Sequence, residues 1–374
     1  MNEQIRQLFP IRNEFVYLNH AAVSPPPTNA LAAIQEQLTD VAANGSLNYR
    51  HWVARKESSR KLAAEMLNAC PEQIAFMRNT SDALSCIANG LQWKTGENIV
   101  TFENEFPSNV YAWRQIRDKF GVELRFCPER DGRIDLDEFC RLIDDKTRVV
   151  ALSAVQYASG FRADLQKIGE AARSVDALFV VDVIQAMGVC PLDVETDLID
   201  AAAGAFHKWM LTPEGIGFLY LSDRARNRVE PTLIGWISAK NPEDYSNFEQ
   251  EFKSGALPWE TGTFASCLFY ALESNFKLLL ETGTTKIFDY LNGLGDFLCE
   301  NLPDKDYEIF SSRLENEKSP IVCIKNRNGI SAMEIYKHLQ QQKIIVAPRG
   351  DRLRIAPHIY NTQADIEKLI AALP

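Results

Sequence analysis

The sequence has no apolar run long enough to cross a bilayer, because charged residues interrupt its longest apolar stretches. It also has few basic residues for its acidic ones: 40 Lys and Arg against 50 Asp and Glu give a formal net charge of −10. Nucleic acids and anionic membranes need a basic surface, so neither is an expected partner. The first 15 residues lack the features of signal and transit peptides. We expect a cytoplasmic protein.

The eight cysteines form no CxxC pair and no close cluster with histidine. Neither a zinc site nor a disulfide framework is therefore predicted, and we expect no metal in the functional site. Free cysteine is among the residue types most often buried, so reduced and buried thiols are the expected state.

Apolar residues make up 46% and charged residues 24% of the 374 residues, which is typical of a globular protein. Short β-branched or aromatic runs at 74–77, 98–102, 123–127, 148–153, 178–182 and 217–221 alternate with amphipathic helical patterns. This alternation predicts a three-layer α/β fold, a mostly parallel sheet with helices on both faces. Ligands of such sheets bind at the carboxyl ends of the strands.

The C-terminal third has a different pattern. A long helix is predicted over 265–280, followed by strand-like runs at 320–324, 344–347 and 352–355 and a final helix over 362–373. We expect a smaller C-terminal α/β domain that packs on the larger one.

The most informative motif lies where the strand-like run LFVV leads directly into Asp182. Gln185 follows three residues later, and AGAFHKW then places Lys208 directly after His207. A lysine in a turn is usually a surface cation, but the carboxylate, amide and lysine in this order form a much rarer combination. Together they indicate a site at the carboxyl edge of the sheet.

With Gly215 and Gly217, this pattern resembles the Asp-x-x-Gln, His-Lys and Gly-x-Gly motifs of one superfamily. It is the class V aminotransferase and cysteine desulfurase-like superfamily of fold-type I pyridoxal-phosphate enzymes. The resemblance implies the cofactor pyridoxal 5′-phosphate (PLP), held as an imine on Lys208, and a homodimer with shared active sites. It also implies a large PLP-binding domain over residues 16–262. Residues 1–15 and 263–374 would supply an N-terminal arm, a connecting helix and the small C-terminal domain.

The resemblance gives the residues around the cofactor ring their expected roles. Lys208 is the nucleophile once burial lowers its pKa, and afterwards it moves the substrate Cα proton. Asp182 faces the pyridine nitrogen and keeps it protonated. Gln185 donates to the phenolic oxygen. His207 lines the phosphate or the imine, or has a structural role.

The phosphate is expected at the start of a helix, where RNTSDALSC places Thr80 and Ser81. Exposed N–H groups and the helix dipole favour a dianion there, although an ordinary Ser or Thr N-cap would have the same sequence. In ETGTF, Thr263 matches a family residue that reaches the phosphate of the neighbouring subunit; the alternative is a cap for the following helix.

Two residues depart from the desulfurase pattern. Phe106, in FENEFPSN, stands where cysteine desulfurases have a histidine that stacks on the cofactor. A phenyl ring stacks equally well but has no titratable proton. Ala205 stands three residues before the lysine, where many relatives have a serine that contacts the phosphate. One phosphate hydrogen bond is therefore expected to be missing or replaced.

The substrate site is expected to include both ends of the chain. In YLNHAAVSPPP, the residues Asn19, His20 and Ala22 match a family segment that folds over the active site. Arg354, in RLRIAPH, matches the arginine that pairs with the substrate α-carboxylate, for which a planar guanidinium is well suited.

Two further arginines, Arg162 and Arg349, lie in loops expected at the mouth of the pocket. Each either recognises a second substrate anion or pairs with a local acid.

The reaction is less constrained than the cofactor. The stretch KIIVAPRGDRLRIAPH lacks the loop cysteine of the desulfurases, and Cys323 lies in an apolar strand candidate. Persulfide chemistry is therefore not expected. We expect an aminotransferase-like enzyme that acts on a small α-amino acid through an external aldimine and a quinonoid. The alternatives are a PLP-dependent lyase of the cysteine C–S lyase or desulfhydrase type, an amino-acid epimerase, and a binding protein without turnover.

Overall fold

The computed structural model describes residues 3–303 and 306–374. The α-helices are α1 Glu3–Gln7, α2 Thr28–Asn44, α3 Tyr49–Leu67, α4 Thr80–Gly90, α5 Ser108–Phe120, α6 Leu136–Arg141, α7 Leu165–Ser174, α8 Asp223–Arg226, α9 Ser266–Thr282, α10 Thr284–Asn301, α11 Ala332–Gln341 and α12 Gln363–Ala372. The strands are β1 Val16–Tyr17, β2 Ile74–Met77, β3 Asn98–Phe102, β4 Glu123–Cys127, β5 Glu129–Arg130, β6 Arg133–Ile134, β7 Thr147–Ser153, β8 Leu178–Asp182, β9 Ala201–Ala205, β10 Gly217–Leu221, β11 Tyr307–Ile309, β12 Val322–Asn326, β13 Ile344–Ile345, β14 Ala347–Arg349 and β15 Arg352–Ile355. Short 3₁₀ helices lie at Pro10–Asn13, Pro71–Gln73, Trp236–Ser238 and Leu257–Trp259.

The central sheet has seven strands in the order β2-β10-β9-β8-β7-β3-β4. The pairs formed by β4, β3, β7, β8 and β9 are parallel, and β10 runs antiparallel to both of its neighbours. The predicted mostly parallel α/β sheet is thus confirmed. Parallel strands end at the same edge, so the loops after β3, β7, β8 and β9 converge there.

The two faces of the sheet belong to two separate apolar clusters. Along β8, Val180 packs on the side of α4 and α5, whereas its neighbours Phe179 and Val181 pack on the side of α3, α7 and α9. Every residue of β2, β3, β8, β9 and β10 is buried. This double burial explains why the strands appear in the sequence as continuous apolar runs.

One strand was not predicted. Ala201–Ala205 forms β9, between β8 and β10, although alanine and glycine are poor strand formers. Space dictates its composition, because a Cβ on Gly204 would lie 2.7 Å from the ring of Phe218. Small residues allow β9 to pass under this ring.

The C-terminal part contains α9 and α10 and then a four-stranded antiparallel sheet in the order β11-β12-β15-β14. This confirms the smaller C-terminal α/β unit. The N-terminal strand β1 pairs with β13, and Asn19 pairs with Ala356, so this segment joins the C-terminal strands rather than the central sheet. The division at residues 262 and 263 stays a prediction. Among the described residues, no helix is both long enough and apolar enough to span a membrane.

Candidate active site

Asp182 is the last residue of β8 and lies beside Ser153 of β7 and Ala203 of β9. It is buried, and its Oδ1 accepts the Ile184 N–H at 2.9 Å. Burial raises the pKa of this carboxyl to about 6, against the opposing effect of the Lys208 charge. A carboxylate therefore stands at the carboxyl edge of the sheet, as predicted for this fold.

Lys208 lies in the loop after β9, and only 7% of its surface is exposed. Burial lowers the pKa of its amine to about 8; Asp182 acts in the opposite direction, and Arg354 and Arg349 lower the pKa further. The unprotonated amine, which is the state a nucleophile needs, is therefore more populated near neutral pH than for an exposed lysine.

Phe106 forms a wall of the same site. Its ring centroid lies 5.5 Å from Lys208 Nζ and 5.2 Å from the centroid of the Tyr157 ring, which it meets edge-on. The residue is 39% exposed, unusually open for a large apolar side chain at the end of a buried strand. A ring held on one side and open on the other suits a flat ligand.

The start of α4 has the features of an anion site. Asn79 is the N-cap residue, and its Oδ1 accepts the Asp82 N–H at 2.9 Å, so Thr80 is not needed as a cap. Thr80 is buried, and its Oγ1 has no hydrogen-bond partner among the described residues. Ser81 Oγ lies 2.7 Å from Ser108 Oγ at the start of α5. A spare hydroxyl beside free helix N–H groups fits a phosphate dianion.

The first residue of β10 passes directly beside this helix start. A Cβ on Gly217 would lie 2.5 Å from the Gly204 carbonyl oxygen and 3.2 Å from the backbone of Asn79. Glycine is therefore required here by the close approach of two backbones, rather than by a turn.

Arg354, on β15, is a buried cation, with 1% of its surface exposed. Its Nη1 donates to the Tyr157 carbonyl at 3.0 Å and its Nη2 to Asn19 Oδ1 at 3.2 Å, whereas its buried Nε has no partner among the described residues. Burial and then the Arg349 charge lower its pKa to about 9. A buried guanidinium without an acidic partner in the described chain is suited to an external anion, and the predicted pairing of Arg354 with a substrate carboxylate stays a prediction.

The chain matches the model of the family described as aminotransferase class-V over residues 16–369. It belongs to this family. It is 26% identical to the uncharacterized aminotransferase YcbU of Bacillus subtilis (strain 168), over 98% of this chain and 96% of that one. The apo cysteine desulfurase of Thermococcus onnurineus NA1 has a TM-score of 0.90 and 25% identity, over 99% of this chain and 96% of that one. A C-DES mutant with glycine covalently linked to its PLP cofactor has a TM-score of 0.90 and 23% identity, with 98% of each chain covered.

As a member of the class V aminotransferase family, the protein is a PLP-dependent enzyme, as the sequence motifs predicted. The residues present fit the cofactor. The Thr80 hydroxyl at the start of α4, which has no partner in the described chain, suits the phosphate, and the buried Asp182 carboxylate suits the pyridine nitrogen. The buried amine of Lys208 follows both of them in the chain and lies 5.5 Å from the centroid of the open Phe106 ring.

Gln185 links this class V site to the N-terminal segment. Its Nε2 donates to the Ala21 carbonyl at 3.0 Å, and its Oε1 accepts the Trp209 Nε1–H at 2.8 Å. One amide N–H remains for another acceptor. Donation to the phenolic oxygen of the cofactor stays a prediction.

His207 is half-buried, and burial lowers the pKa of its imidazole. Its carbonyl accepts the Ser24 N–H at 2.9 Å, which fixes the N-terminal segment against the lysine loop. This supports a structural role for the backbone, and a role of the side chain in cofactor binding stays a prediction. Ala205, which precedes this loop as the last residue of β9, is buried and brings no hydroxyl.

The three predicted N-terminal residues have different environments. The Oδ1 of Asn19 accepts a hydrogen bond from Arg354, so Asn19 lies beside the predicted substrate arginine. Ala22 donates its N–H to the Asn19 carbonyl at 3.0 Å and so closes a turn. His20 is fully buried; its Nδ1 bonds the Ala356 carbonyl at 2.8 Å and its Nε2 bonds the Tyr360 hydroxyl at 2.9 Å. Because both ring nitrogens are engaged in the core, this geometry does not favour the predicted substrate contact by His20.

The two predicted mouth arginines also differ. Arg162 donates from Nε to the Lys318 carbonyl and from Nη2 to the Glu315 carbonyl, both at 3.0 Å, so its fork is used in holding the C-terminal unit. Arg349 is half-buried and donates only to the neighbouring Pro348 carbonyl, at 2.7 Å, within the described chain. The structure therefore favours Arg349 over Arg162 for a second anion, although both assignments stay predictions.

Thr263 is exposed, and the N-cap of α9 is Ala265, so the alternative role as a helix cap does not apply. It borders a surface cavity of about 40 Å³ together with Trp52, Val53 and Phe264. These neighbours are not residues of the Lys208 site. A role for Thr263 in the site of its own chain is therefore not supported, and its role across a dimer stays a prediction.

Sequence reasoning missed two residues that shape the site, Glu105 and Tyr157. Glu105 is buried and accepts hydrogen bonds from Ser153 and Gln156. Tyr157 supports Arg354 through its carbonyl, a contact that leaves no signal in the sequence. The acid before Phe106 was visible in FENEFPSN, but an isolated glutamate after a strand is usually solvent-exposed.

Proposed function

We propose that this enzyme acts on a small α-amino acid in an aminotransferase-type reaction, with Lys208 as the residue that holds PLP and then moves the proton at the substrate Cα. The observation that carries the proposal is the buried Arg354, whose Nε has no partner among the described residues and whose charge lowers the pKa of Lys208. An anion bound by Arg354 would lie within electrostatic range of the Lys208 amine. The α-carboxylate of an amino acid meets this requirement.

The described residues account for each part of the cofactor. Thr80, with the N-terminus of α4, would hold the phosphate, and Phe106 would cover one face of the ring. Asp182 would pair with the pyridine nitrogen, and the second N–H of Gln185 would reach the phenolic oxygen. Bound PLP withdraws electrons from the substrate Cα and so makes its proton removable.

The protein's own contribution is to position groups and transfer protons. Arg354 is held by the Tyr157 carbonyl and by Asn19 Oδ1, so its fork is oriented before a substrate arrives. With a pKa of about 8, the amine of Lys208 accepts a proton near neutral pH and can return it. Return of the proton to a different carbon is what distinguishes transamination from epimerisation.

A persulfide-forming cysteine is not supported. Residues 343–358 contain no cysteine, and Cys323 is fully buried in β12. Its thiol donates to the Ala158 carbonyl at 3.3 Å, and burial raises its pKa to about 11. A buried thiol with a raised pKa is a poor nucleophile. The proposal therefore differs from the activity in the name of the Thermococcus onnurineus relative.

The oligomer belongs to the proposal as well. We infer a homodimer in which Thr263 reaches the phosphate site of the other subunit, since it is exposed and the described residues that line its cavity do not belong to the Lys208 site. Sedimentation of the holoenzyme and of a Thr263→Val variant tests this. A fully active monomer contradicts it, whereas a dimer with weakened PLP affinity in the variant supports it.

The deciding experiment supplies the holoenzyme with a panel of amino acids and no oxo-acid acceptor. Conversion of the cofactor to pyridoxamine phosphate in a single turnover supports the transaminase. Continued release of ammonia identifies a lyase, and loss of optical purity without ammonia identifies an epimerase. If no amino acid changes the cofactor spectrum, the proposed substrate class is wrong.

A second measurement in the same panel concerns Arg349. We infer that it receives an anionic group of the substrate side chain, because it is half-buried near Lys208 and Arg354 and has no acidic partner in the described chain. Aspartate and glutamate should then bind more tightly than asparagine and glutamine. An Arg349→Met variant should lose this preference while it keeps α-carboxylate binding.

A further inference from the structure

Glu105 lies in the loop after β3, directly before Phe106, and is buried. Its Oε1 accepts the Ser153 backbone N–H at 2.6 Å and the Gln156 Nε2–H at 2.7 Å, and its Oε2 lies 2.5 Å from Ser153 Oγ. The carboxyl therefore joins the end of β3 to the loop after β7. Both loops belong to the carboxyl edge where Asp182 ends the next strand.

The same loop continues to the substrate arginine. Tyr157, which follows Gln156, packs edge-on against Phe106 with 5.2 Å between ring centroids. Its carbonyl accepts from Arg354 Nη1 at 3.0 Å. Glu105 thus directly precedes Phe106 in the chain. It is also hydrogen-bonded to Gln156, the neighbour of Tyr157, whose carbonyl holds the Arg354 guanidinium.

This arrangement costs free energy that an apolar residue would not. In the described chain no cation pairs with Glu105, and burial raises the pKa of its carboxyl to about 7, with Asp182 adding to the effect. Gln156 is also buried, and its Oε1 has no partner among the described residues, so its amide makes only the bond to Glu105. Two buried polar side chains, those of Glu105 and Gln156, thus serve the one connection between the loop after β3 and the loop after β7.

We propose that Glu105 is a positioning residue that holds the Phe106 ring and the Tyr157 carbonyl in a fixed relation, so that one carboxyl sets both the cofactor-stacking face and the Arg354 fork. The role requires its three hydrogen bonds rather than its charge. This role of Glu105 depends on PLP binding and not on the reaction that follows. Its test is therefore independent of the test of the proposed transamination.

The test compares Glu105→Gln with Glu105→Ala in the holoenzyme. The glutamine oxygen can accept from Ser153 N–H and Gln156, and its amide can donate to Ser153 Oγ, so all three bonds survive. We expect Glu105→Gln to keep the visible circular dichroism of bound PLP and the KM for amino acids within about threefold. Glu105→Ala should lower the dichroic amplitude and raise KM about tenfold or more. The exposed neighbour Glu103, changed to alanine, is the matched control.

Two results would overturn the proposal: wild-type dichroism and KM in Glu105→Ala, or equal impairment of the glutamine and alanine variants. A Gln156→Met variant covers the case in which Glu105→Ala does not fold. It leaves both Ser153 bonds and removes only the link toward Tyr157. KM should rise while the dichroism of bound PLP is preserved, and an unchanged KM contradicts the role.

Discussion

Lys208 Nζ lies 5.5 Å from the ring centroid of Phe106. The lysine amine and the exposed face of this ring are therefore neighbours at the carboxyl edge of the sheet. The amine is buried beside a carboxylate and near two arginines, and its pKa falls to about 8. The histidine of the cysteine desulfurases is absent from this wall, so we expect proton transfer at this position to depend on the lysine itself.

Lys208→Ala should bind PLP without a covalent bond and lose at least about 100-fold in turnover, because the variant has neither the attaching amine nor the proton carrier. Borohydride reduction followed by mass spectrometry of the peptide that contains residue 208 measures the attachment. Lys240, an exposed lysine paired with Glu251, is the control, and its alanine variant should behave like the wild type. Retained turnover in Lys208→Ala would contradict the assigned role.

Thr80→Val should weaken PLP binding about 10- to 100-fold, because a hydrogen bond to a charged group contributes about 1.5–3 kcal/mol. The substitution keeps the shape of the side chain and removes only the hydroxyl, which has no other partner among the described residues. Titration of the apoenzyme with PLP gives the dissociation constant. Unchanged affinity would place the phosphate elsewhere; the exposed Thr39, changed to valine, controls for the loss of a helix hydroxyl.

Arg354→Lys should raise the KM for amino acids about 10- to 100-fold and change kcat less, since lysine cannot hold a carboxylate with a planar fork. Lysine also cannot donate to the Tyr157 carbonyl and Asn19 Oδ1 at once in the same geometry. Arg352→Lys is the matched control on the same strand, because that guanidinium stacks on Phe310 and pairs with Asp351. A KM equal to the wild-type value would remove Arg354 from the substrate site.

We expect the buried, uncharged state of His358 to make the free energy of unfolding smaller in acid than at neutral pH. It is fully buried with Nε2 bonded to the Trp209 carbonyl at 2.9 Å, and burial lowers its pKa from 6.5 to about 4. The unfolded chain therefore binds more protons between these pKa values, so the contribution is complete above 6.5 and is lost as the pH falls toward 4. The shift corresponds to roughly 3 kcal/mol.

The measurement is the free energy of unfolding by denaturant at about pH 7.5 and about pH 5 for the wild type and for His358→Gln. The raised pKa values of Glu105 and Asp182 act in the opposite direction, because these carboxyls take up protons in the folded state first. They are present in both proteins and cancel in the comparison. An equal pH dependence of the two proteins would refute the assignment.

Much of the fold is visible in the sequence, because strands buried on both faces appear as continuous apolar runs. Five of the six predicted central strands, at 74–77, 98–102, 123–127, 178–182 and 217–221, have the bounds that the structure shows. The sequence does not indicate β9, because AAAGA is not a pattern typical of a strand. Its small residues reflect the lack of space beneath Phe218, which is a property of packing and not of the local sequence.

The sequence by itself determined the family and the order of Asp182, Gln185 and Lys208, because this chemistry requires those residue types close to a strand end and a lysine loop. Tertiary structure alone decided which polar groups are free. Arg162 is used by two carbonyls and His20 by two core partners, whereas Arg354 Nε and Thr80 Oγ1 are left without partners among the described residues. Whether a buried polar group is satisfied depends on contacts between segments far apart in the chain, and no local pattern records them.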